Sequence, residues 1–169
     1  MIHPIVKYGD EVLAKEAARI TVFDGELQKL IEDMFESMYA AQGVGLAAPQ
    51  IGISRHIAVI DITNGKDPKA KFVLINPEII AIEGRQVEEE GCLSVPGFRE
   101  KVRRPAKATV RALDRNGKEF TMTGEGLLAR AFCHETDHLN GRLFLSHLSS
   151  LKRELIHRKI RKLVKKEEW

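Results

Sequence analysis

The segment formed by residues 134–138, His-Glu-Thr-Asp-His, is the part of this sequence best suited to catalysis. On an α-helix, positions i and i+4 project from one face, so the imidazoles of His134 and His138 can bind one metal ion. Glu135 lies beside that face, where a carboxylate can accept a proton from water. The alternative is a chance pair of surface or core histidines. The spacing favours a hydrolytic metal site.

Two histidines leave such a site one ligand short, because a hydrolytic metal usually has three protein ligands and one open position. The candidates are Cys92, Cys133, His147 and nearby carboxylates. Cys133 directly precedes the first histidine and projects about 100° away around the helix, which favours a small buried thiol. His147 follows the second histidine by nine residues, with Gly141 where a metzincin motif requires glycine. Spacing alone therefore does not dismiss His147.

Two segments that contain glycine hold further polar candidates. Cys92 lies within residues 90–97, EGCLSVPG, whose glycines and proline predict a bend at a strand end. A cysteine in the core fits the composition equally well. Gln50 ends residues 43–50, GVGLAAPQ, which lack the features of a phosphate-binding loop but allow close backbone approach. Gln50 is either a satisfied surface amide or a donor in a site, and its context favours neither.

The positive charge of the sequence is concentrated at one end. The chain carries a formal net charge of +3, and residues 152–169 contain eight Lys or Arg against three Glu. The preceding 151 residues therefore carry a net charge of −2. This distribution argues against a basic nucleic-acid-binding body and against DNA as a partner. It indicates a separate role for the final segment.

Length and hydropathy restrict the class of protein. The 169 residues, 43% of them hydrophobic, suit one compact domain. No stretch approaches the ~18–20 uninterrupted apolar residues that a membrane helix needs. The opening residues 1–7 lack the apolar core and the cleavage site of a secretory signal. We therefore expect a cytoplasmic protein that does not interact with a membrane.

Three helices are predicted by apolar residues at helical spacing, in residues 24–41, 125–139 and about 149–166. Asp24 is a suitable N-cap for the first helix. The second carries the two histidines and is expected to turn Leu127 towards the core. The third is expected to bury one stripe and to direct its basic residues outwards. That stripe consists of Leu151, Leu155, Ile160 and Leu163.

The middle of the chain is typical of short strands rich in β-branched residues. The predicted strands cover residues 56–62, 71–75, 78–82, 86–90, 98–102, 107–113 and 118–123. The intervals are too short to hold crossover helices, so the sheet should be antiparallel. The sequence thus predicts an α+β fold, a mainly antiparallel sheet around a central metal-binding helix. Residues 1–150 would form the catalytic part, and residues 151–169 a basic helix of the same domain.

Three segments in this order resemble the signatures of the peptide deformylase family. The patterns G-x-G-x-A-A-x-Q, E-G-C-L-S and H-E-x-D-H occur at residues 43–50, 90–94 and 134–138. The likeness extends over about residues 3–150. The proline at position 96 resembles the sequence of the family branch common in Gram-negative bacteria and organelles. Cys133 is a departure, since many members carry a different residue there, often glutamine.

The resemblance implies a metal-dependent hydrolase that removes the formyl group from the N-terminal formylmethionine of nascent polypeptides and releases formate. It implies that Cys92 is the third ligand, beside His134 and His138. It also implies one divalent ion, Fe²⁺ in cells, which Zn²⁺ or Ni²⁺ can replace. The donor set alone would favour Zn²⁺, because thiolate and imidazole suit that ion.

The resemblance further implies Glu135 as general acid and base, and the Gln50 amide with the Leu93 backbone N–H as donors to the formyl oxygen. Arg99 is expected to contact the peptide backbone. The pocket for the methionine side chain maps onto Val44, Gly45, Glu90, Leu127, Arg130 and His134. Bacterial members dock a basic C-terminal extension on the ribosome. We therefore expect the final helix to bind the ribosome and to be dispensable for chemistry.

Two other functions are compatible with parts of the sequence. A zincin-like endopeptidase would use the same helix motif, but it would give no task to Gln50 or Cys92 and would need an extended cleft. A ribosome-associated structural protein could hold a stabilising metal. Such a site needs no general base, so the presence of Glu135 argues against it.

Overall fold

The fold is an α+β arrangement in which helices cover both faces of a five-stranded sheet. The computed structural model describes all residues from 1 to 169. Strand pairing is antiparallel throughout, as predicted. The large sheet has the order β1, β2, β3, β6, β7, with the bounds Gly45–Ala47, Ile57–Ile60, Phe72–Glu83, Lys107–Leu113 and Glu119–Glu125. A separate two-stranded ribbon consists of β4 and β5, Gln86–Gly91 and Arg99–Arg104.

Three helices occupy the predicted regions of the chain. They are α1, Gly25–Ala40; α2, Leu127–Leu139; and α3, Ser150–Lys165. Asp24 caps α1 as predicted, because its carboxylate accepts a hydrogen bond from the Leu27 backbone N–H at 3.0 Å. Ser149 caps α3 in the same way. None of the three helices combines the length and apolar character that crossing a membrane requires.

The middle of the sheet is buried on both faces. Ile57 and Val59 of β2 belong to an apolar cluster with α1, whereas Ile60 packs in another cluster with Phe132 of α2. Successive side chains of a strand point to opposite faces, so one strand contributes to both clusters. The sheet therefore lies between α1 and α2. This packing fixes the orientation of α2, the helix that carries the histidines.

The strands predicted at residues 71–75 and 78–82 are one continuous strand, β3. Asn76 has a positive φ of 51°, and the register against β6 shifts between Ile75 and Glu78. This bulge accommodates Pro77, which has no N–H for the ladder, without ending the strand. The Asn76 side chain also bonds the backbone N–H and C=O of Ile20, at 2.9 and 2.8 Å. The prediction of two strands was therefore wrong.

Strand β1 was not predicted, because its three residues, Gly-Leu-Ala, carry weak strand preference. It pairs with β2, and Gly45 lies opposite Ile60. The segment predicted as a glycine loop is therefore the edge of the sheet. This pairing brings Gly45 against α2.

The buried stripe of α3 differs from the prediction. Ile156 and Ile160 are the buried residues, whereas Leu151 and Leu155 are 70% and 46% exposed. The helix rests on the core through the side centred on the two isoleucines, and Leu155 projects about 100° away from Ile156. Leu163 is half-buried at the margin of the contact. Helix α3 thus packs on the body through a narrow contact that includes Val95 and Val102 in the same apolar cluster.

Candidate active site

Helix α2 and the segment after β4 bring together three side chains of types that can bind a metal. The Nε2 atoms of His134 and His138 lie 3.1 Å apart, and Cys92 Sγ lies 3.2 Å from His138 Nε2. One donor atom from each of the three residues lies within 4.8 Å of the others. A thiolate and two imidazoles aimed at one point match the three-ligand sites of hydrolytic metals. The donor set therefore fits a divalent ion.

The electrostatics of this cluster favour a thiolate. Burial opposes ionisation of Cys92, but the charges and hydrogen bonds of His138 and His134 outweigh it and lower the pKa of the thiol to about 5. Burial also opposes protonation of His134. The neighbouring Glu135, Cys92 and Glu90 outweigh it and raise the pKa of the imidazole. The thiolate is the form of cysteine that binds metals.

Glu135 is 4% exposed, and its Oε1 atom has no hydrogen-bond partner in the protein. Burial raises the pKa of this carboxyl, against the opposing charges of His134 and His138. Glycine at position 45 leaves room for this carboxylate: a Cβ at Gly45 would lie 2.6 Å from Glu135 Oε2, so the side chain would have to shift. Strand β1 thus presses its backbone against a buried carboxylate at the cleft. A group held in this way can exchange protons with a bound molecule.

Gln50 is a buried donor, not a surface amide. It is 2% exposed, and its Oε1 atom accepts a hydrogen bond from the Ala47 N–H at 3.0 Å. This bond fixes the orientation of the amide, so Nε2 points to Cys92 Sγ at 3.5 Å and Ser94 Oγ at 3.3 Å. The sequence left the role of Gln50 open, and the fold places its NH₂ group beside the cluster.

A cleft of about 550 Å³ opens onto the cluster. His138 is fully buried and does not line the cleft. Leu127 was predicted to face the core, but it begins α2 at the cleft and is 48% exposed. The other residues implied by the resemblance also line the cleft: Val44, Gly45, Gln50, Glu90, Cys92, Leu93, Arg99, Arg130, His134 and Glu135.

Behind His134 lies a buried network of charges centred on Glu90. Its Oε2 accepts from His134 Nδ1 and Arg104 Nη2, both at 2.7 Å, and its Oε1 accepts from Arg130 Nη1 at 2.6 Å and Arg104 Nε at 3.1 Å. Arg104 also donates to Asp137 at 2.7 Å. The bond to Nδ1 leaves His134 Nε2 free to face the cluster. Burial opposes ionisation of Glu90, but the hydrogen bonds and charges of His134 and Arg104 outweigh it and lower the pKa of this carboxyl.

The comparison with known proteins decides the family. The model of the polypeptide deformylase family matches residues 2–154. The chain belongs to this family. Peptide deformylase of Acidobacterium capsulatum is 59% identical over 169 residues, which cover 100% of this chain and 99% of that protein. Peptide deformylase of Thermodesulfovibrio yellowstonii is 50% identical over 157 residues, 93% of this chain and 95% of that protein.

A solved structure agrees with these relatives. A crystal structure of a peptide deformylase from Legionella pneumophila superimposes with a TM-score of 0.91 at 51% identity and covers 99% of this chain and 98% of that one. The α+β fold and the family expected from the three signatures are thus confirmed. The chain is a hydrolase that removes the N-formyl group from nascent peptides. The endopeptidase and the structural metalloprotein are the wrong alternatives.

Cys133 and His147, two of the other candidates for the third ligand, lie outside the cluster formed by Cys92, His134 and His138. His147 Nε2 contacts Asp137 Oδ2 at 2.8 Å and Arg104 Nη1 at 3.2 Å, so this imidazole belongs to the charged network. Cys133 packs with Ala108 and Ala129. Burial raises the pKa of its thiol to about 11. It is the buried thiol that its helix position predicted.

Arg104 and Asp137 are the residues of this region that the sequence did not reveal. Arg104 ends β5 among several other basic residues, and nothing in its immediate sequence separates it from them. Asp137 lies inside the histidine motif. A charged residue on a largely buried helix needs a partner, and this was the only sign in the sequence of the charged network. The partner of such a residue becomes evident only when the ribbon is folded against α2.

Proposed function

We propose that the formyl group is hydrolysed at the point where Cys92, His134 and His138 converge, and that these three side chains hold one divalent ion. The observation that carries this proposal is the convergence itself: three donor atoms within 4.8 Å at the base of a cleft. When bound, such an ion supplies Lewis acidity, which polarises a carbonyl and lowers the pKa of water.

Glu135 is the proton carrier of the reaction. Its carboxylate accepts a proton as the oxygen of water bonds to the formyl carbon. It then donates a proton to the amine nitrogen as the C–N bond breaks, so formate and a free amine leave. The support is its position, buried between Gly45 and the histidines with one oxygen unpartnered. General acid–base groups are worth about 10²–10⁴-fold in rate.

Gln50 and Leu93 supply the hydrogen bonds that stabilise negative charge on the formyl oxygen. The Gln50 NH₂ group is held towards the cluster by the Ala47 N–H, so it needs no reorganisation during the reaction. Leu93 is the residue after Cys92, so its backbone N–H lies next to the Cys92 side chain in the chain. One preorganised donor of this kind is worth roughly 3 kcal/mol of transition-state stabilisation.

The cleft walls accommodate the methionine side chain and the start of the peptide. Val44, Gly45 and Leu127 offer apolar contact, while Glu90 and Arg130 neutralise one another within the wall. His134 forms the base of this pocket. Arg99 lies at the rim, paired with Glu89 at 2.7 Å, and both side chains are more than half exposed. An exposed guanidinium at this position can bind peptide carbonyl groups.

The ion in cells is Fe²⁺, by the resemblance to the family, with Zn²⁺ or Ni²⁺ able to replace it. Cysteine and two histidines form a donor set that also suits these ions. The place of action is the cytoplasm, because the substrate is a nascent chain. Metal analysis of protein purified without oxygen tests the identity of the ion. An iron content far below that of zinc, with full activity, would contradict the assignment.

The formyl specificity gives the sharpest test of the proposed function. A carbonyl held between the donor cluster, Gln50 and Leu93 leaves little room for a methyl group. We therefore expect kcat/KM for a formyl-Met peptide to exceed that for the matched acetyl-Met peptide by at least about 100-fold. Equal values for the two peptides would show that the carbonyl is held elsewhere. Addition of a chelator should abolish hydrolysis of the formyl peptide.

We further propose that α3 binds the ribosome through its exposed lysines. Lys159, Lys162 and Lys166 are exposed and have no ion-pair partner, whereas Arg158 and Arg161 pair with Glu154. Unpaired positive charge attracts a polyanion, and salt weakens that attraction. The triple change of these lysines to Glu should reduce co-sedimentation with ribosomes and leave peptide hydrolysis intact.

Charge reversal is the better test of ribosome binding, because truncation after about residue 150 would remove Ile156 and Ile160 from the core. The matched control changes Lys66, Lys69 and Lys118 to Glu, which alters the net charge equally on another part of the surface. If the α3 variant pellets with ribosomes as well as the control does, α3 is only a structural helix.

A further inference from the structure

The single tryptophan of the sequence, Trp169, packs against a wall of the cleft. Its ring meets that of Phe98 edge-on, with centroids 6.1 Å apart and planes inclined by 62°. Its indole N–H donates to the Tyr8 carbonyl at 2.9 Å. Phe98 and Trp169 both pack on the apolar cluster that contains Val95 and Ile156. The chain beyond α3 therefore returns to the catalytic part of the fold.

Phe98 connects this contact to the substrate cleft. It lines the cleft and is half-buried, between the exposed residues Gly97 and Arg99. It also lies six residues after Cys92 in a compact turn, in which the Val95 N–H bonds the Cys92 carbonyl at 3.0 Å. A change in the position of Phe98 therefore alters the cleft wall between the rim and the donor cluster.

Tyr8 supplies a second route from Trp169 to the same turn. Its carbonyl accepts from the Trp169 indole, and its backbone N–H donates to the Ser94 carbonyl at 2.7 Å. Its ring stacks on His157 of α3, with centroids 5.4 Å apart. The segment from Cys92 to Phe98 is thus held by Trp169 through an aromatic contact with Phe98 and through hydrogen bonds that pass by the Tyr8 backbone.

We infer that Trp169 is a positioning residue for peptide recognition: it holds Phe98 as the wall along which the residues after the formylated methionine lie. The inference rests on the proposed placement of the formyl group at the donor cluster. From there, a peptide chain leaves the cleft towards the rim marked by Glu89 and Arg99, and Phe98 lies next to Arg99. A substrate that ends at methionine does not extend to Phe98.

The test compares a short substrate, formyl-Met amide, with a long one, formyl-Met-Ala-Ala-Ala. Trp169→Ala should raise KM for the long substrate by about two- to tenfold, the value of an aromatic pair, with kcat unchanged. Kinetics with formyl-Met amide should not change. Trp169→Phe keeps an aromatic edge against Phe98 and should restore most of the lost affinity. Val164→Ala, an exposed position on α3, is the matched control.

A double-mutant cycle with Phe98→Ala identifies the route of the effect. Because Trp169 is inferred to act through Phe98, the KM effects of the two alanine variants should be strongly non-additive. Additive effects, equal effects on both substrates, or no effect of Trp169→Ala would overturn the inference. If wild-type protein hydrolyses neither substrate, the proposed function fails instead, so the two failures are distinguishable.

The fluorescence of the sole tryptophan gives a test on the unmodified protein. Saturating Met-Ala-Ala-Ala, the long product, should change the emission of Trp169 through Phe98, whereas Met amide should not. An emission spectrum unaffected by the long product, under conditions where the product inhibits hydrolysis, would contradict the inference. This measurement needs no substitution, so the result does not depend on whether the Trp169 variants fold.

Discussion

The two sides of His134 differ in how completely their polar groups are bonded. On the side of the charged network, both oxygens of Glu90 accept two hydrogen bonds each. On the side of the cleft, Glu135 Oε1 is buried without a partner. Leaving a buried polar group unpaired costs about 1–3 kcal/mol. At Glu135, which lines the cleft, a bound substrate can complete the bonding.

The comparison separates two tasks that the same helix turn performs. The network side orients His134 and holds the ribbon of β4 and β5 against α2. A buried ion network of this kind adds little net stability, but removing one member leaves the others uncompensated. We propose that the cleft side carries out the chemistry. Substitutions on the two sides should therefore affect different measurements, one mainly stability and the other mainly activity.

Glu135→Gln tests the cleft side of His134 and should have the largest effect on activity. The amide keeps the shape of the side chain but cannot carry a proton, so hydrolysis should fall by about 10²–10⁴-fold. The free energy of unfolding should stay equal or rise, because a desolvated carboxylate is replaced by a neutral group. Steady-state kinetics and urea unfolding measure both quantities. Turnover near that of wild type would rule out the proton-carrier role.

Arg104→Met tests the network side of His134 and should mainly affect stability. Arg104 bonds both Glu90 and Asp137, so its loss leaves one buried and one half-buried carboxylate undercompensated. We expect the free energy of unfolding to fall by about 3–5 kcal/mol. The matched control is Arg111→Met, which removes an exposed pair with Glu78 and should cost less than about 1 kcal/mol. Equal losses for the two variants would show that the network is not a buried unit.

The two cysteines also differ in their surroundings, and this difference should change their reactivity. The pKa of Cys92 is lowered to about 5 and that of Cys133 is raised to about 11, so only Cys92 is a thiolate at neutral pH. Iodoacetamide should modify Cys92 in metal-depleted protein and leave Cys133 unmodified until the chain unfolds. Mass spectrometry of the labelled peptides measures this. Rapid labelling of Cys133 in the native state would contradict its buried placement.

Cys133→Ala should have the smallest effect of these changes. It removes a sulfur atom that packs on Ala108 and Ala129, so we expect a loss of about 1 kcal/mol in the free energy of unfolding. Hydrolysis should stay within about twofold of wild type, since the residue bonds neither the donor cluster nor the substrate. A large loss of activity without a loss of stability would place Cys133 in the site after all.

The sequence was most informative where a pattern is local. The i, i+4 spacing of His134 and His138 and the cap at Asp24 depend on one helix turn, so both could be predicted. β1 could not, because three weakly strand-forming residues gain their order from pairing with β2. The bulge at Asn76 also depends on contacts with distant residues.

The site followed the same rule. Cys92 and Gln50 remained ambiguous by themselves, and only the resemblance to the family predicted a role for each. Arg104 stayed hidden, because its partners Glu90 and Asp137 lie 14 and 33 residues away. Trp169 approaches Tyr8 across 161 residues of chain. Such contacts are decided by the packing of the whole domain, not by the spacing of nearby residues.

The metal content of wild type and Cys92→Ala, purified side by side without oxygen, tests the central claim most directly. We propose that Cys92, His134 and His138 hold one ion on the cleft side of His134. Wild type should contain about one ion per chain, with a ligand shell of one sulfur at ~2.3 Å and two nitrogens at ~2.0–2.1 Å by X-ray absorption if the ion is zinc. Cys92→Ala should contain almost none and lose activity. A full ion in Cys92→Ala, or a wild-type shell without sulfur, would contradict the account.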